Sequence, residues 1–456
     1  MKKILTYKNK KVLVLGLARS GISAASLLND LGAMVTVNDF KSIEENSKVQ
    51  SLVKSGVRVI VGTHPVKLME EDFELVVKNP GIPYTNSMLM CAHKRKIPII
   101  TEVELAYEIS KAPILAITGT NGKTTTATMI ANLLNKKRKR GKALLSGNIG
   151  FPASTVAQRA TCADELVMEL SSFQLMGITK FQPEIAVITN IYSAHLDYHK
   201  MREKYVNAKW QIQKNMTIKN FLVVNVDQDE LLTLTAKTKA TMIPFSTRKK
   251  VNGAYFLDGG LFYKKELIMP ALELKIPGLH NIENALAAIA VAKLKRVSNN
   301  IIRKELKHFH GITHRMQFVV EINGRKFYND SKATNISATK MALSGFVNEK
   351  TILLAGGFDR KNDFNDLIPE LKNLKALIVF GETSKKLKAA GKLAGVKCIK
   401  EAKNVESAVF LAYELSRYGD SVLLSPANAS WDQYQNFEIR GEKFMKEVQK
   451  IKEYKK

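Results

Sequence analysis

The glycine-rich stretch AITGTNGKTTTATM, residues 116–129, restricts the fold of this chain more than any other feature. It overlaps PILAI, an apolar run of strand length, and leads into TTTATMIANLL, whose apolar residues recur at helical spacing. Strand, glycine turn and helix in this order is the setting in which a phosphate-binding loop forms. The common loop has a glycine six positions before its lysine, and here Ile117 stands at that position. We therefore predict a shorter phosphate loop that begins at Gly119, within an α/β fold.

The residues of this loop suit a nucleoside triphosphate. Backbone amides over residues 120–124 can surround an anion at the start of the helix, helped by the helix dipole. Lys123 supplies a positive charge for the β and γ phosphates, and the hydroxyl of Thr124 is placed to bind Mg²⁺. The alternative is an ordinary tight turn that carries a surface lysine. The loop predicts the nucleotide and leaves the reaction open.

The length and the cysteine content indicate a multidomain protein of a reducing compartment. A chain of 456 residues predicts about three domains at roughly 150 residues each. Its three cysteines, Cys91, Cys162 and Cys398, lie far apart and form no C-x-x-C pair, which excludes a disulfide framework and a cysteine zinc site. The N-terminal segment lacks the apolar run of a signal peptide, and no stretch has the ~20 apolar residues of a membrane span. We expect a soluble cytoplasmic protein.

The net charge of +28 raises the possibility of a nucleic-acid partner. Most lysines are scattered in a way that is typical of solvated faces, and the densest run, NKKRKRGK at 135–142, follows the predicted loop helix. No aromatic residue interleaves with that run, as a platform for single strands would need. The same positive field favours small acidic, phosphate-rich substrates. We expect no nucleic-acid partner.

Short apolar runs alternate with helical patterns in three successive blocks. The clearest runs are KVLVLG, MVTVND, VRVIVG and ELVVKN in the first, PILAITG, ELVMEL, EIAVITN and FLVVNVD in the second, and TILLAGG, KALIVFG, VKCIK and SVLLSP in the third. This alternation predicts parallel sheets covered by helices. In the second block, Asp258, Gly259 and Gly260 predict the turn of a β-hairpin. We place the blocks at 1–101, 102–311 and 312–456.

The first block opens with GLARSG, residues 16–21, directly after a predicted strand. A dinucleotide fingerprint would read G-x-G-x-x-G, and Ala18 replaces its second glycine. Asp39 ends the second strand, where an acid that binds ribose is expected. A helix that begins after a strand attracts phosphate in any case. We favour a nucleoside-diphosphate ligand on this block over NAD.

Acidic and basic side chains follow the strands of the second block. Glu169 comes directly after an apolar run, where a carboxylate can hold Mg²⁺ or form an ordinary ion pair. His195, Asp197 and His199 follow the next strand, and each histidine alone could be an ordinary core or surface residue. Lys209 lies on a helical segment with Tyr205 four residues earlier on the same side. A lysine beside a metal ion requires that its charge be changed or masked.

Taken together, these segments resemble one family. GTNGKTT, ELSSFQL, NIYSAHLDYH and PGLHNIENALAA are similar to motifs of the Mur ligases of peptidoglycan synthesis, and folylpolyglutamate synthases share the loop and the metal-site logic. HRMQFV, YNDSKATN, AGGFDRKNDF and LLSPANASWDQYQNFEIRG resemble the D-glutamate-adding members of that family. The resemblance spans essentially the whole chain, with its motifs in order in all three blocks. The short loop would then be this family's own form, G-T-N-G-K-[ST].

The resemblance implies both a fold and a reaction. It implies an α/β protein of three domains: a Rossmann-like domain at 1–101 that binds the UDP substrate, a central P-loop ATPase-type domain at 102–311 and a C-terminal Rossmann-like domain at 312–456 that binds D-glutamate. ATP would phosphorylate the carboxylate of UDP-N-acetylmuramoyl-L-alanine, and D-glutamate would displace phosphate to leave an amide. Two Mg²⁺ ions would assist, and we expect a monomer.

The resemblance also assigns site residues. It gives catalytic roles to Lys123, His195 and Lys209 and metal ligation to Thr124, Glu169, His195 and Lys209, the lysine being carbamylated. The proposed ATP contacts are Gly119, Thr120, Asn121, Gly122, Lys123, Thr124, Thr125, Asn281, Asn284, Arg315 and Asp330, with Asn284 at the adenine, Arg315 at the γ-phosphate and Asp330 at the ribose. The UDP substrate takes Gly16, Arg19, Ser20, Asp39, Asn148, Ser171 and Gln174, and D-glutamate takes Lys332, Thr334, Lys361, Ser430 and Phe437.

The sequence departs from the family in places, and other functions compete. Ser193 and Ala194 precede His195 where many relatives have acidic residues, and Arg19 stands where smaller residues are common. Phe40 is a candidate for stacking on the uracil. A folate-type ligase, an NAD(P)-dependent oxidoreductase based on GLARSG and a basic nucleic-acid-binding ATPase are the alternatives. The oxidoreductase would give the central loop no role. The nucleic-acid-binding ATPase would give the motifs of the third block no role.

Overall fold

The first α/β domain is built on a parallel sheet with the strand order β3-β2-β1-β4-β5. The structure is a computed structural model that describes residues 1–41 and 47–454. The strands are nearly continuous apolar runs because helices cover both faces of such a sheet. Their bounds, with those of the helices, are β1 Lys11–Leu15, α1 Arg19–Asp30, β2 Met34–Asp39, α2 Ser47–Lys54, β3 Arg58–Val61, β4 Leu75–Lys78, α3 Ser87–Lys94 and β5 Ile99–Ile100.

The central domain contains the longest sheet of the described residues, in the order β14-β13-β12-β11-β10-β9-β6-β8-β7. Strands β6 to β12 pair in parallel, and an antiparallel hairpin continues the sheet. The elements up to β9 are α4 Glu102–Ile109, β6 Ile114–Thr118, α5 Lys123–Lys137, β7 Ala143–Gly147, α6 Ala153–Arg159, β8 Glu165–Glu169, α7 Ser172–Leu175 and β9 Ile185–Ile188. Those after it are α8 Leu196–His199, α9 Arg202–Trp210, β10 Phe221–Asn225, α10 Asp229–Thr235, β11 Thr241–Ser246, β12 Ala254–Leu257, β13 Gly260–Tyr263, β14 Glu266–Pro270, α11 Leu279–Leu294 and α12 Asn299–Lys307.

The predicted hairpin turn forms between β12 and β13. Leu257 pairs with Gly260, so the loop consists of Asp258 and Gly259. Their φ angles are 46° and 75°. Two positive φ angles in a two-residue loop are those of a type I′ turn, which matches the twist of the flanking strands. Asp-Gly favours this turn because glycine accepts a positive φ without strain and aspartate tolerates it.

The third domain has a mixed sheet in the order β15-β16-β20-β17-β18-β19. Strand β15 pairs antiparallel with β16, and the other pairs are parallel. Because parallel strands end at one edge of a sheet, the loops after β16, β17 and β20 emerge together. The elements are β15 Gln317–Ile322, β16 Arg325–Asn329, α13 Ile336–Leu343, β17 Thr351–Gly356, α14 Ile368–Leu371, β18 Ala376–Phe380, α15 Ser384–Leu393, β19 Ile399–Glu401, α16 Val405–Leu415, β20 Ser421–Leu424 and α17 Phe437–Tyr454.

The chain divides into two compact units, each with its own apolar cores. One comprises Met1–Met269 with Glu283–Glu305, and the other Pro270–Ile282 with Leu306–Lys456. A single buried cluster runs from Val12 and Leu28 of the first domain to Leu166 and Ile188 of the central one. The first two domains therefore share a continuous core.

The predicted fold class is confirmed: three α/β domains with largely parallel sheets, the central one carrying the phosphate loop. The quoted apolar runs coincide with β1 to β4, β6, β8 to β10 and β17 to β20. The analysis of the sequence did not identify β5, β7, β11, β15 or β16, which are short or carry polar residues. No helix in the described ranges combines the length and hydropathy that crossing a membrane requires.

Candidate active site

The glycine loop connects β6 to α5, and its backbone conformation requires the glycines. Gly119 and Gly122 have φ angles of 145° and 79°. A Cβ on Gly119 would lie 1.9 Å from Oγ1 of Thr189, and one on Gly122 would lie 2.1 Å from Oδ1 of Asn284. A side chain is excluded at both positions, so the loop requires glycine there. The predicted loop and the helix that begins at Lys123 are both present.

The end of β9 holds the loop in place. The Thr120 amide donates to the carbonyl of Asn190 at 2.8 Å, and the Asn121 amide donates to Oδ1 of Asn190 at 2.9 Å. The Thr189 hydroxyl donates to the carbonyl of Asn121 at 2.6 Å. The sequence analysis did not assign Thr189 or Asn190 to the site. Their position as polar residues directly after an apolar strand is the signal that could have identified them.

Lys123 and Lys209 both reach the carbonyl of Gly119. Lys123 Nζ donates to it at 3.0 Å and to the carbonyl of Thr120 at 2.9 Å. Lys209 Nζ donates to it at 2.7 Å from a residue that is 2% exposed. Burial, and secondarily the charge of Lys123, lower the pKa of Lys209 well below its ordinary value, while Glu169 opposes the shift. The Lys209 side chain is therefore biased toward a neutral amine.

Tyr205 lies beside Lys209, as its spacing on the helix predicts. Lys209 Nζ is 4.8 Å from the centre of the Tyr205 ring. The Tyr205 hydroxyl is 2.9 Å from Oγ1 of Thr120. Helix α9 thus contacts the glycine loop through two side chains that lie one turn apart.

Glu169 ends β8 and has an unsatisfied oxygen. The residue is 2% exposed, and its Oε1 accepts a hydrogen bond from Asn148 Nδ2 at 2.9 Å. Its Oε2 is buried and has no hydrogen-bond partner. Burying a carboxylate oxygen without a partner is costly, and a cation removes that cost. A carboxylate also matches the preference of Mg²⁺ for oxygen ligands.

His195 and His199 flank one aromatic ring but have different surroundings. His195 has a φ of 55° and lies with its ring centre 5.1 Å from that of Phe173. Although its side chain is exposed, partial desolvation, followed by the charge of Lys209, lowers its pKa, which favours the neutral imidazole that can act as a ligand. His199 stacks on Phe173, and its Nε2 is 3.0 Å from Ser172 Oγ. The environment of His199 is that of a packed, hydrogen-bonded core histidine.

A cleft of about 520 Å³ connects these groups with the first domain. Lys123, His195 and Lys209 line it together with several of the residues predicted for the UDP substrate. Those residues are Arg19, Ser20, Asn148, Ser171 and Gln174. Glu102 also lines the cleft, although the sequence analysis did not assign it to the site. Its side chain is 2% exposed, and burial raises the pKa of its carboxyl group. Arg19 Nη2 donates to the carbonyl of Gly150 at 2.7 Å and so joins the two domains.

Asp39 closes the first glycine turn, and its expected contact with the nucleotide stays a prediction. Gly16 has a φ of 98°, and a Cβ on Gly21 would lie 1.8 Å from the Gly16 carbonyl oxygen. These two glycines permit the tight turn and the close approach of α1 to β1. Asp39 Oδ2 accepts from the amide of Leu17 at 2.6 Å, and Oδ1 accepts from that of Lys41 at 2.9 Å. Phe40 is 65% exposed, with its ring centre 5.7 Å from that of His64.

The two asparagines of the NIEN motif are both buried. Asn281 donates to the carbonyl of Pro277 at 2.6 Å. Asn284 accepts from Thr126 Oγ1 at 3.2 Å. Its side chain therefore lies against the start of the loop helix and below Gly122. The adenine contact expected of Asn284 stays a prediction.

In the third domain, Asp330 is buried at the end of β16. It accepts from the amide of Met316 and from Oγ of Ser425, both at 3.0 Å. Burial raises its pKa to about 7, against these hydrogen bonds and the charge of Arg315, which lower it. Arg315 is half-buried. Their roles at the γ-phosphate and the ribose stay predictions.

The five residues predicted for D-glutamate lie on the loops of the third domain and at the start of α17. Lys332 is exposed, with its Nζ 5.2 Å from the ring centre of Phe437. Lys361 is exposed at a φ of 62°, and Thr334 is half-buried. Ser430 is 2% exposed, and its hydroxyl has no hydrogen-bond partner. A buried hydroxyl without a partner is available to a ligand.

Among the described residues, no group of three or more histidine, cysteine, aspartate or glutamate side chains forms a ready metal cluster. Thr124, Glu169, His195 and Lys209 instead supply one acid, one imidazole, one hydroxyl and one amine. Mg²⁺ usually takes only one or two protein carboxylates and completes its shell with water and phosphate oxygens. The donor set therefore fits Mg²⁺ bound together with a phosphate substrate.

Three protein-family models match the chain in order. Residues 10–101 match the Mur ligase MurD-like, N-terminal domain. Residues 117–292 match the Mur ligase middle domain, and residues 314–428 match the Mur ligase, glutamate ligase domain. The matches cover all three sheets of the fold.

Curated relatives are similar over almost the whole length. An Enterococcus faecalis protein named UDP-N-acetylmuramoylalanine--D-glutamate ligase is 63% identical over 453 residues, 99% of each chain. Proteins of the same name from Enterococcus hirae and Streptococcus pneumoniae are 61% and 56% identical, over 97% and 99% of this chain and 97% and 100% of their own.

Solved structures show the same fold at low identity. The UDP-N-acetylmuramate-alanine ligase MurC from Thermotoga maritima has a TM-score of 0.58 at 20% identity, over 97% of this chain and 100% of its own. A MurF ligase from the same organism, solved in complex with ADP, has a TM-score of 0.56 at 16% identity, over 98% and 96%. From the domain matches and the full-length identities, the chain belongs to the Mur ligase family, in the group of UDP-N-acetylmuramoylalanine--D-glutamate ligases.

Proposed function

We propose that this chain joins D-glutamate to UDP-N-acetylmuramoyl-L-alanine in an ATP-dependent ligation that belongs to peptidoglycan precursor synthesis. The observation that carries the proposal is the cleft in which Lys123, His195 and Lys209 lie beside Ser20 and Asn148. It brings a phosphate loop and a predicted substrate site of the first domain to one cavity. The identity of 56–63% to ligases of this name supports the choice of substrates.

The reaction consists of two displacements. A carboxylate oxygen of the alanyl substrate attacks the γ-phosphorus of ATP, the bond to the bridging oxygen breaks, and ADP leaves with that electron pair. The amine of D-glutamate then attacks the carbonyl of the acyl phosphate. The tetrahedral intermediate expels phosphate, the nitrogen loses a proton, and an amide remains. Such phosphoryl transfer depends mainly on positioning and charge neutralisation.

The glycine loop supplies much of that neutralisation. The N-terminus of α5 and its dipole favour an anion, whereas the amides of Thr120 and Asn121 are already bonded to Asn190. Lys123 would exchange its present bonds to the carbonyls of Gly119 and Thr120 for phosphate oxygens. Asn281, Asn284, Arg315 and Asp330 are the proposed further contacts of the nucleotide. The buried, hydrogen-bonded setting of Asp330 supports a fixed carboxyl group at the ribose.

Four residues are proposed to hold two Mg²⁺ ions. Glu169 and Thr124 would bind one ion, supported by the unpartnered Oε2 of Glu169. His195 and a carbamate on Lys209 would bind the other. When bound, the ions stabilise negative charge on phosphate and carboxylate oxygens. Carbamylation requires a neutral amine, and the burial of Lys209 supports that state.

The remaining assignments follow the domains. We propose that 1–101 binds the uridine diphosphate part of the substrate through Gly16, Arg19, Ser20 and Asp39, with Asn148, Ser171 and Gln174 nearer the muramyl end. The central domain, 102–311, would bind ATP. In 312–456, Lys332, Thr334, Lys361, Ser430 and Phe437 would bind D-glutamate, since lysines and a hydroxyl complement two carboxylates. The protein would act as a monomer in the cytoplasm, and sedimentation under assay conditions tests the first point.

Phosphate release tests the proposal directly. The assay contains ATP, Mg²⁺ and UDP-N-acetylmuramoyl-L-alanine, with D-glutamate, with L-glutamate, or with neither. We expect phosphate release only with all components and a strong preference for D-glutamate. Both carboxylates of glutamate are held, so only one configuration at its α-carbon directs the amine to the carbonyl. Equal rates with the two enantiomers would overturn the D-glutamate assignment. Activity on a folate substrate, or hydride transfer to NAD(P), would favour the competing functions.

A further inference from the structure

The third domain contains a fully buried arginine on the first turn of α17. Arg440 is 0% exposed, and its guanidinium donates four hydrogen bonds to uncharged oxygens. Burial lowers its pKa to about 10, against the charge of Asp432, so the guanidinium is still protonated at pH 7. A protonated guanidinium is rarely buried at this depth without a dedicated set of partners. Its partners therefore indicate what it does.

Those partners lie at or just after the ends of three different strands. Nη2 donates to the carbonyl of Ser331 at 2.9 Å and to that of Asn428 at 3.0 Å. Nη1 donates to the carbonyl of Gly356 at 3.3 Å, and Nε donates to Oγ of Ser331 at 3.1 Å. Ser331 and Asn428 follow β16 and β20, and Gly356 is the last residue of β17; the three strands are neighbours in the sheet. One planar group thus connects the ends of three adjacent parallel strands.

Each connected loop carries a residue of the proposed amino-acid site. Lys332 directly follows Ser331, Lys361 lies five residues after Gly356, and Ser430 lies two residues after Asn428. The hydroxyl of Ser331 donates in turn to the carbonyl of Phe437, at the start of the same helix. The loop after β17 is also held to the loop after β20, since the Phe358 amide donates to the carbonyl of Ala429 at 2.9 Å.

We propose that Arg440 is a positioning residue that fixes the relative placement of the three loops that bind the amino-acid substrate. The proposal rests on the proposed function for the identity of that substrate. Arginine suits the task better than lysine because its five donors lie in one rigid plane and can address several carbonyls at once. Loss of this group would let Lys332, Lys361 and Ser430 move independently, and small displacements of positioning groups weaken productive binding strongly.

The test compares Arg440→Lys with a control on the same helix. Val448→Ala truncates a fully buried side chain further along α17 that makes no hydrogen bond to the three loops. We expect Arg440→Lys to raise the KM for D-glutamate about tenfold or more, while the KM for UDP-N-acetylmuramoyl-L-alanine stays within about twofold of wild type. Val448→Ala should lower the melting temperature with both KM values unchanged. If Arg440 has a purely structural role, both variants should show a lower melting temperature with both KM values unchanged. That result would overturn the inference.

A milder variant covers the case in which Arg440→Lys does not fold. Ser331→Ala removes only the hydroxyl that bridges Arg440 Nε and the carbonyl of Phe437. It should raise the KM for D-glutamate about threefold, again without an effect on the UDP substrate. An unchanged KM for D-glutamate in this variant would overturn the proposal.

Hydrogen exchange separates this inference from the function on which it rests. In Arg440→Lys, or in Ser331→Ala if the former does not fold, amides of the segments around 331, 356 and 428 should exchange faster, and in Val448→Ala they should not. Wild-type protein without D-glutamate-dependent phosphate release would overturn the proposed function even if this exchange pattern appears. Normal turnover by wild type, with unchanged exchange in the variants, would overturn the role of Arg440 alone.

Discussion

Lys209 donates a hydrogen bond to the carbonyl of Gly119, 2.7 Å away, and so connects the buried end of α9 to the first residue of the phosphate loop. A protonated lysine there would repel a divalent cation. At an effective dielectric constant of ~20, two unit charges ~4 Å apart interact by about 4 kcal/mol, and a divalent ion roughly doubles this. A carbamate reverses the sign of that interaction, and its oxygens are ligands that Mg²⁺ prefers.

Lys209→Ala should therefore lose most of its activity and regain part of it with formate or acetate, which replace the missing anion. The measurement is the rate with and without ~100 mM formate at fixed ionic strength, with a Debye length of about 10 Å in both arms. Lys204→Ala, an exposed lysine on the same helix, is the matched control and should remain near wild type without a response to formate. Near-normal activity of Lys209→Ala would remove this residue from the site.

Lys123→Ala should reduce turnover by at least about 10²-fold, the usual effect of removing one preorganised charge partner of a transition state. Binding of UDP-N-acetylmuramoyl-L-alanine, measured by calorimetry, should be largely retained because the uridine part is assigned to the first domain. Lys136→Ala, on the exposed face of the same helix, is the control for general electrostatic effects. Complete loss of UDP-substrate binding in Lys123→Ala would contradict the domain assignment.

Glu169→Gln should raise the Mg²⁺ concentration needed for half-maximal activity by about tenfold or more, because the amide removes the negative charge that faces the ion. Glu165→Gln is a matched control on the same strand, where the 3% exposed carboxylate pairs with Arg138 and Lys295. It should lower stability, by about 3–5 kcal/mol for a broken buried pair, and leave the Mg²⁺ dependence unchanged. Equal Mg²⁺ titrations for wild type and Glu169→Gln would contradict the assigned ligand.

Asp330 should make the third domain less stable as the pH rises from about 4 to 7. Its folded-state pKa of about 7 lies above the ordinary value of 3.8, so the folded domain retains a proton that the unfolded chain has lost. The stability that this proton contributes is complete below pH 3.8 and is lost as the pH rises through 7. One retained proton changes the free energy of unfolding by at most about 1.4 kcal/mol per pH unit within that window.

Asp330→Asn removes this titration and should flatten the pH dependence. Urea unfolding of both proteins at several pH values between 4 and 8 gives the difference. Trp431 reports on the third domain, and a Trp210→Phe background removes the signal of the other tryptophan. If the plots of unfolding free energy against pH run parallel for the two proteins, Asp330 has an ordinary pKa in the folded state.

The sequence by itself determined the fold class and the phosphate loop, because both depend on local patterns. Continuous apolar runs between helical segments predict parallel α/β sheets, and the glycines, lysine and threonine of residues 119–124 predict the loop from neighbouring positions. Family resemblance extended this to a list of site residues, whose roles are the proposals made above. Polar strands such as β15 and β16 were missed because the burial that stabilises them comes from the completed sheet.

Only the tertiary structure decided which side chains share an environment. Arg440 looks like any arginine of an amphipathic helix in the sequence, and two of its three carbonyl partners, those of Ser331 and Gly356, lie more than 80 residues away along the chain. The unpartnered oxygens of Glu169 and Ser430 and the altered pKa values of Lys209 and Asp330 likewise arise from burial. Desolvation and hydrogen-bond satisfaction are properties of the packed chain, and no local pattern encodes them.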